Sequence, residues 1–133
     1  MIEQTIFRSG EAPAGVEIEK TPWRGIVRIK ESPIFADEDI ASAWLQRKGS
    51  VVSFYTAAVF HGLSQQNPPY IWLSVPRGKA YGGVIDAPKG RPGIRFAPMP
   101  TTEGIMKATL QCGVEVDMYD AAHTVAMMLE YSC

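Results

Sequence analysis

From Asp120 the chain reads DAAHTVAMMLEYSC, and this stretch limits the fold more than any other. Asp120 suits a helix N-cap, and the residues after it form a helix that is apolar over most of its circumference. Ala122, Val125, Ala126 and Leu129 fall on one side, with Ala121, Met127, Met128 and Tyr131 around the rest. A helix of this kind needs cover on more than one side. One sheet of the same chain supplies the first cover, and a second copy of the chain, in a homodimer, is the simplest source of the second. Met127, Met128 and Tyr131 are therefore expected at an interface.

The segments ahead of this helix are short and punctuated by glycine and proline. EGIMKATLQCGVEVDMYD alternates as a hairpin, with Ile105 to Leu110 paired to Val114 to Tyr119 across a turn at Gln111 to Gly113. Tyr70 to Val75 and Ile94 to Ala97 read as strands. Near the start, GVEIEK and GIVRIK give two strands around a turn at Thr21 to Trp23. Between them and the rest lies a helix with Asp37, Glu38 and Asp39 at its start, Arg47 and Lys48 at its end, and Gly49 beyond. Its inner face is Ile40, Ala41, Trp44 and Leu45.

In SFYTAAVFHGL, Ser53 stands as an N-cap and Gly62 as a left-handed stop, which predicts a helix of about two turns. RGKAYGGVIDAPKGRPG reads as an exposed loop or irregular hairpin. The whole is a single small α+β domain, a mostly antiparallel sheet with about three helices. Residues 1–50 supply two strands and a helix, and residues 51–133 the remainder.

Thirteen basic and fourteen acidic residues leave a net charge of −1, so no global field draws the chain to nucleic acid or anionic lipid. No apolar run approaches the ~20 residues of a membrane helix, and the start lacks the pattern of a signal peptide. A cytoplasmic location is expected, with Cys112 and Cys133 as free thiols. Neither cysteine lies in a zinc-type spacing with the two histidines, and no metal or other cofactor is expected.

Sites for chemistry are few. His61 lies on the apolar stripe of its helix close to the helix end, where an imidazole can bond a terminal carbonyl. A structural role is preferred to general-base catalysis, because no acid or nucleophile stands at a telling spacing. The enzymatic alternative is a small-molecule pocket near His61 and Tyr55. His123 reads as a solvated or interface side chain. PRGKAYGG lacks the spacing of a phosphate loop. Arg77, Lys79, Lys89 and Arg91 are either solvated or a contact for phosphates or an acidic protein, so nucleic acid is an alternative partner, not the favoured one.

From Val51 onward the order VVSFYTAAVFHGLS, NPPYIWLSVPRG, GIRFAPM, EGI and GVEVDMYDAAHTV resembles the AbiEi-like transcriptional regulators, the antitoxins of type IV abortive-infection systems. The resemblance rests on His61, Gly62 and Leu63, on Val75, Pro76, Arg77 and Gly78, and on Thr124 with Val125. It implies a non-enzymatic module related to the antitoxin's central domain, acting through protein contact, with a nucleotidyltransferase-like toxin as a possible partner. Residues ahead of Val51 read as strands and a helix, so it also implies a shortened relative without the winged helix-turn-helix.

Overall fold

A computed structural model describes residues 3–65, 69–76, 84–85 and 88–131, with backbone only at 84, 85 and 131. The elements are β1 (Ile6–Arg8), β2 (Ile18–Lys20), β3 (Ile26–Ile29), α1 (Glu38–Gln46), β4 (Val51–Val52), α2 (Phe54–Phe60), β5 (Tyr70–Val75), β6 (Val84–Ile85), β7 (Gly93–Pro98), β8 (Ile105–Thr109), β9 (Glu115–Tyr119) and α3 (Ala121–Tyr131). They form a small α+β fold with two sheets.

The smaller sheet has the order β1-β3-β2 and is antiparallel throughout. The larger has the order β6-β7-β5-β4-β9-β8. Its pairings are antiparallel except for β4 with β9 and β5 with β7, where Tyr70 to Val75 run in step with Gly93 to Pro98.

Alternation along β5 assigns the two faces of the larger sheet. Ile71, Leu73 and Val75 point into the main core with Ile94 and Phe96 of β7 and Val116 and Met118 of β9. That core is closed by Ile6 and Ile26 of the smaller sheet and by Ala41, Trp44 and Leu45 of α1. Val51 and Tyr119 face the other way, into a second cluster with Phe54 of α2 and Met127 of α3, flanked by Trp72, Ala97, Met99 and Met128. The larger sheet thus carries one cluster on each face.

Local chemistry agrees with these elements. Acidic Glu38 and Asp39 open α1, and Trp44 secures its end by donating from Nε1 to the carbonyl of Ser50 at 2.9 Å. Asp37 occupies the N-cap position of α1 without a capping bond; its carboxylate accepts instead from the main-chain N–H of Gln111, which ties α1 to the turn between β8 and β9. The end of α2 is a Schellman motif: Leu63 N–H bonds the Ala58 carbonyl at 2.8 Å, Gly62 N–H bonds that of Val59 at 3.1 Å, and Gly62 has φ +74°.

Candidate interaction surface

α3 begins on a compact polar junction at the end of β9. Asp120 caps the helix through its Oδ1, which accepts from His123 N–H and from the His123 ring Nδ1, both at 2.8 Å. Those two bonds hold the Asp120 carboxyl below the usual carboxylate range. His123, read from the sequence as a solvated or interface residue, keeps a partly exposed side chain, 37% accessible, while its ring is engaged at the cap. Its ring also lies where a side chain at Gly104 would have to sit, since a Cβ there would fall 2.2 Å from Nδ1. Gly104 has φ +79° and its carbonyl accepts from Asp120 N–H at 2.8 Å, so the glycine locks the β8 end to the helix start.

His61 closes the same junction from α2. Its Nε2 lies 2.8 Å from the Tyr119 carbonyl, and because a carbonyl can only accept, Nε2 carries the proton. The sequence points to a terminal carbonyl of the imidazole's own helix; the partner is instead the Tyr119 carbonyl of β9, because the end of α2 packs against that strand's end. Thr124, fully buried, donates its hydroxyl to the Asp120 carbonyl at 2.7 Å. Ser53 sits at the N-cap position of α2 in an extended conformation without a capping bond, and its Oγ pairs with that of Ser74 at 2.8 Å. The hydroxyl is turned into the sheet because Ser53 still continues the β4 ladder, its N–H bonding the Trp72 carbonyl at 3.1 Å.

The outer part of α3 is where the sequence expectation shifts. Met127 is 3% exposed and lies in the second cluster, with Met128 half-buried beside it, so Met127 is taken up by the chain's own core and is not available as the interface residue expected of it. The Tyr131 side chain lies outside the described residues. The exposed side is the other one: Ala121, Ala122, Val125 at 41%, Ala126 and Leu129 at 75%. Glu130 is the sole acid of this helix.

The basic residues are not gathered by the described structure. Arg77 and Lys79 lie outside the described residues. Lys89 is exposed, whereas Arg91 turns toward α1 and pairs with Asp39 at 3.6 Å. Arg91 there lines a cleft of about 640 Å³ with Trp23, Arg28 and Glu38, whose charges are matched internally. Arg28, nearly buried, pairs with Glu19 at 2.8 Å and Glu38 at 3.5 Å, and Trp23 Nε1 donates to Asp39 at 2.8 Å.

Sequence reading missed a further group. Arg95 of β7 lies over the rings of Trp72, at 5.1 Å, and Tyr70, at 5.9 Å. Tyr55 and Phe54 of α2 approach Trp72 at 5.7 and 5.4 Å. Only the parallel register of β5 and β7, invisible in one sequence, brings Arg95 opposite Trp72.

Cys112 is buried and its thiol is pushed up to about 12 by burial, which leaves it without nucleophilic character. Among the described residues no group of three His, Cys, Asp or Glu converges as a metal site, and no helix is long and apolar enough to cross a membrane. No protein-family model matches this sequence, and no curated protein matches it either.

Proposed function

We propose that this chain is a cytoplasmic, non-enzymatic binding module that acts through protein contact, as its resemblance to the central domain of the abortive-infection antitoxins implies, and that its first partner is a second copy of itself. The observation that carries this reading is the bare apolar stripe of α3, with Leu129 three-quarters exposed beside Val125. Such a stripe on water is a liability that a contact removes.

The stripe suits a copy of itself. Ala122 and Ala126 are one helical turn apart and leave a shallow groove, while Val125 and Leu129, also a turn apart, form a ridge. Two such helices related by a two-fold axis across them run antiparallel and set ridge into groove on both sides. A cognate toxin would then meet the dimer elsewhere on its surface.

The test is sedimentation of the chain over a wide concentration range, alone and with Leu129→Glu. A concentration-dependent dimer that Leu129→Glu splits supports the reading. A strict monomer at high concentration, or a dimer indifferent to the substitution, removes it.

A further inference from the structure

The sheet face beside α2 carries an aromatic row that the fold does not use up. Residue parity puts Tyr70 and Trp72 on one face of β5, about 6.5 Å apart along the strand by the usual rise. Parallel register sets Arg95 opposite Trp72 and Gly93 opposite Tyr70, so the β7 residue directly across from Tyr70 has no side chain and Arg95 of that strand reaches its ring. The guanidinium of Arg95 spans both rings. Tyr55 extends the row from α2, 41% exposed and 5.7 Å from Trp72. Tyr70 and Trp72 are half-buried and Arg95 is exposed.

Two properties of this row point to one class of ligand. The first is charge: among the described residues no carboxylate pairs with Arg95, unlike Arg28 and Arg91, and the exposed Lys89 lies just ahead of β7 on the Tyr70 side. A fixed cation without a counter-charge suits an anionic partner. The second is shape: successive ring faces and a planar guanidinium, held on two strands and a helix and not on loops, suit a chain of planar groups at regular intervals. An acidic peptide would use the cation and leave the rings idle. A duplex hides its base faces in its own stack.

We propose that Tyr55, Tyr70, Trp72 and Arg95 form a binding site for single-stranded nucleic acid. Its bases stack on Tyr55 and on the accessible parts of the half-buried Tyr70 and Trp72 rings, and its phosphates pair with Arg95 and Lys89. The assignment is independent of α3 and of any dimer.

Tryptophan fluorescence reads the site directly. Trp23 and Trp44 are buried at 3% and 9% exposure, so quenching by a stacked base reports on Trp72. Titration with an oligothymidylate of about 12 nucleotides at roughly 50 mM salt is expected to give saturable quenching that weakens as salt rises. Arg95→Ala and Tyr70→Ala each weaken it by roughly tenfold or more, and a duplex of the same length quenches little. Melting curves establish that each variant is folded, and Tyr55→Ser, on an exposed side chain, gives the same readout should either of the others unfold. No quenching at low salt, affinity unchanged in the folded variants, or preference for the duplex would overturn the assignment.

Discussion

α1 and α3 differ in composition and in burial, and in opposite senses. α1 opens with Glu38 and Asp39, yet it buries the unbroken run from Ala41 to Leu45. α3 has one acid, Glu130, and is apolar almost throughout, yet among its described side chains only Thr124 and Met127 are buried. The difference is one of place. α1 is enclosed between the smaller sheet and the first face of the larger one, so even Ser42 disappears from solvent. α3 packs on the second face beside α2, with nothing of this chain outside it among the described residues. Hydrophobicity all round a helix therefore does not set how much of it the fold buries; its place against the sheets does.

The contrast can be broken most sharply at Trp44. Trp44→Ala removes a 9%-exposed ring and its bond to Ser50 from the enclosed helix. It is expected to cost about 3–5 kcal/mol in urea denaturation, whereas Leu129→Ala should change subunit stability by no more than about 0.5 kcal/mol. Equal losses at the two sites would show that α3 is as enclosed as α1.

Leu129→Glu sharpens the other half of the comparison. Burying a leucine is worth about 1.5–3 kcal/mol, and the proposed two-fold contact loses one from each copy, so the dissociation constant of that dimer should rise by roughly a hundred- to ten-thousandfold, read by sedimentation.

Smaller effects test how a helix with so little burial is held. Gly104→Ala forces a side chain into the His123 ring at a left-handed position, and should lower stability by about 1–3 kcal/mol. Adding His123→Ala should restore part of this by removing the ring, and leave the part due to backbone strain; calorimetry on the pair separates the two.

The smallest effect is in acid. Asp120 is depressed below the ordinary 3.8 by its bonds from His123. The stabilisation it gives is complete above that value and disappears as pH falls through the lower folded value. Asp120→Asn should therefore lower the melting temperature near neutral pH and flatten its decline below about pH 4.

Legibility followed the range of the determining interactions. The β8–β9 hairpin, the strands at Tyr70 and Ile94, the poles of α1 and the Gly62 stop depend on neighbours in sequence, and their residues announced them. β1, β4 and β6 have two or three residues each and exist because a distant strand pairs with them. No local pattern marks Val51 and Val52 as the strand joining β5 to β9. Side-chain partners behaved likewise. The position of Ser53 was readable, but its bond to Ser74 was not; the need of His61 for a carbonyl was readable, but Tyr119 as its source was not. On α3 the apolar character was plain, while the side that faces inward depended on where α2 and the sheet lie.

The Thr5 N–H bonds the Cys112 carbonyl at 2.8 Å, and Thr5 in turn accepts from Ile29 N–H at 2.9 Å, so the first strand is anchored beside the last hairpin. During synthesis at about 5–20 residues per second, the leading segment therefore emerges many seconds before its anchor exists. Until the Cys112 region clears the ribosome, Ile6 has no finished wall to rest on, and the nascent chain must carry an unsealed edge that its final hairpin closes.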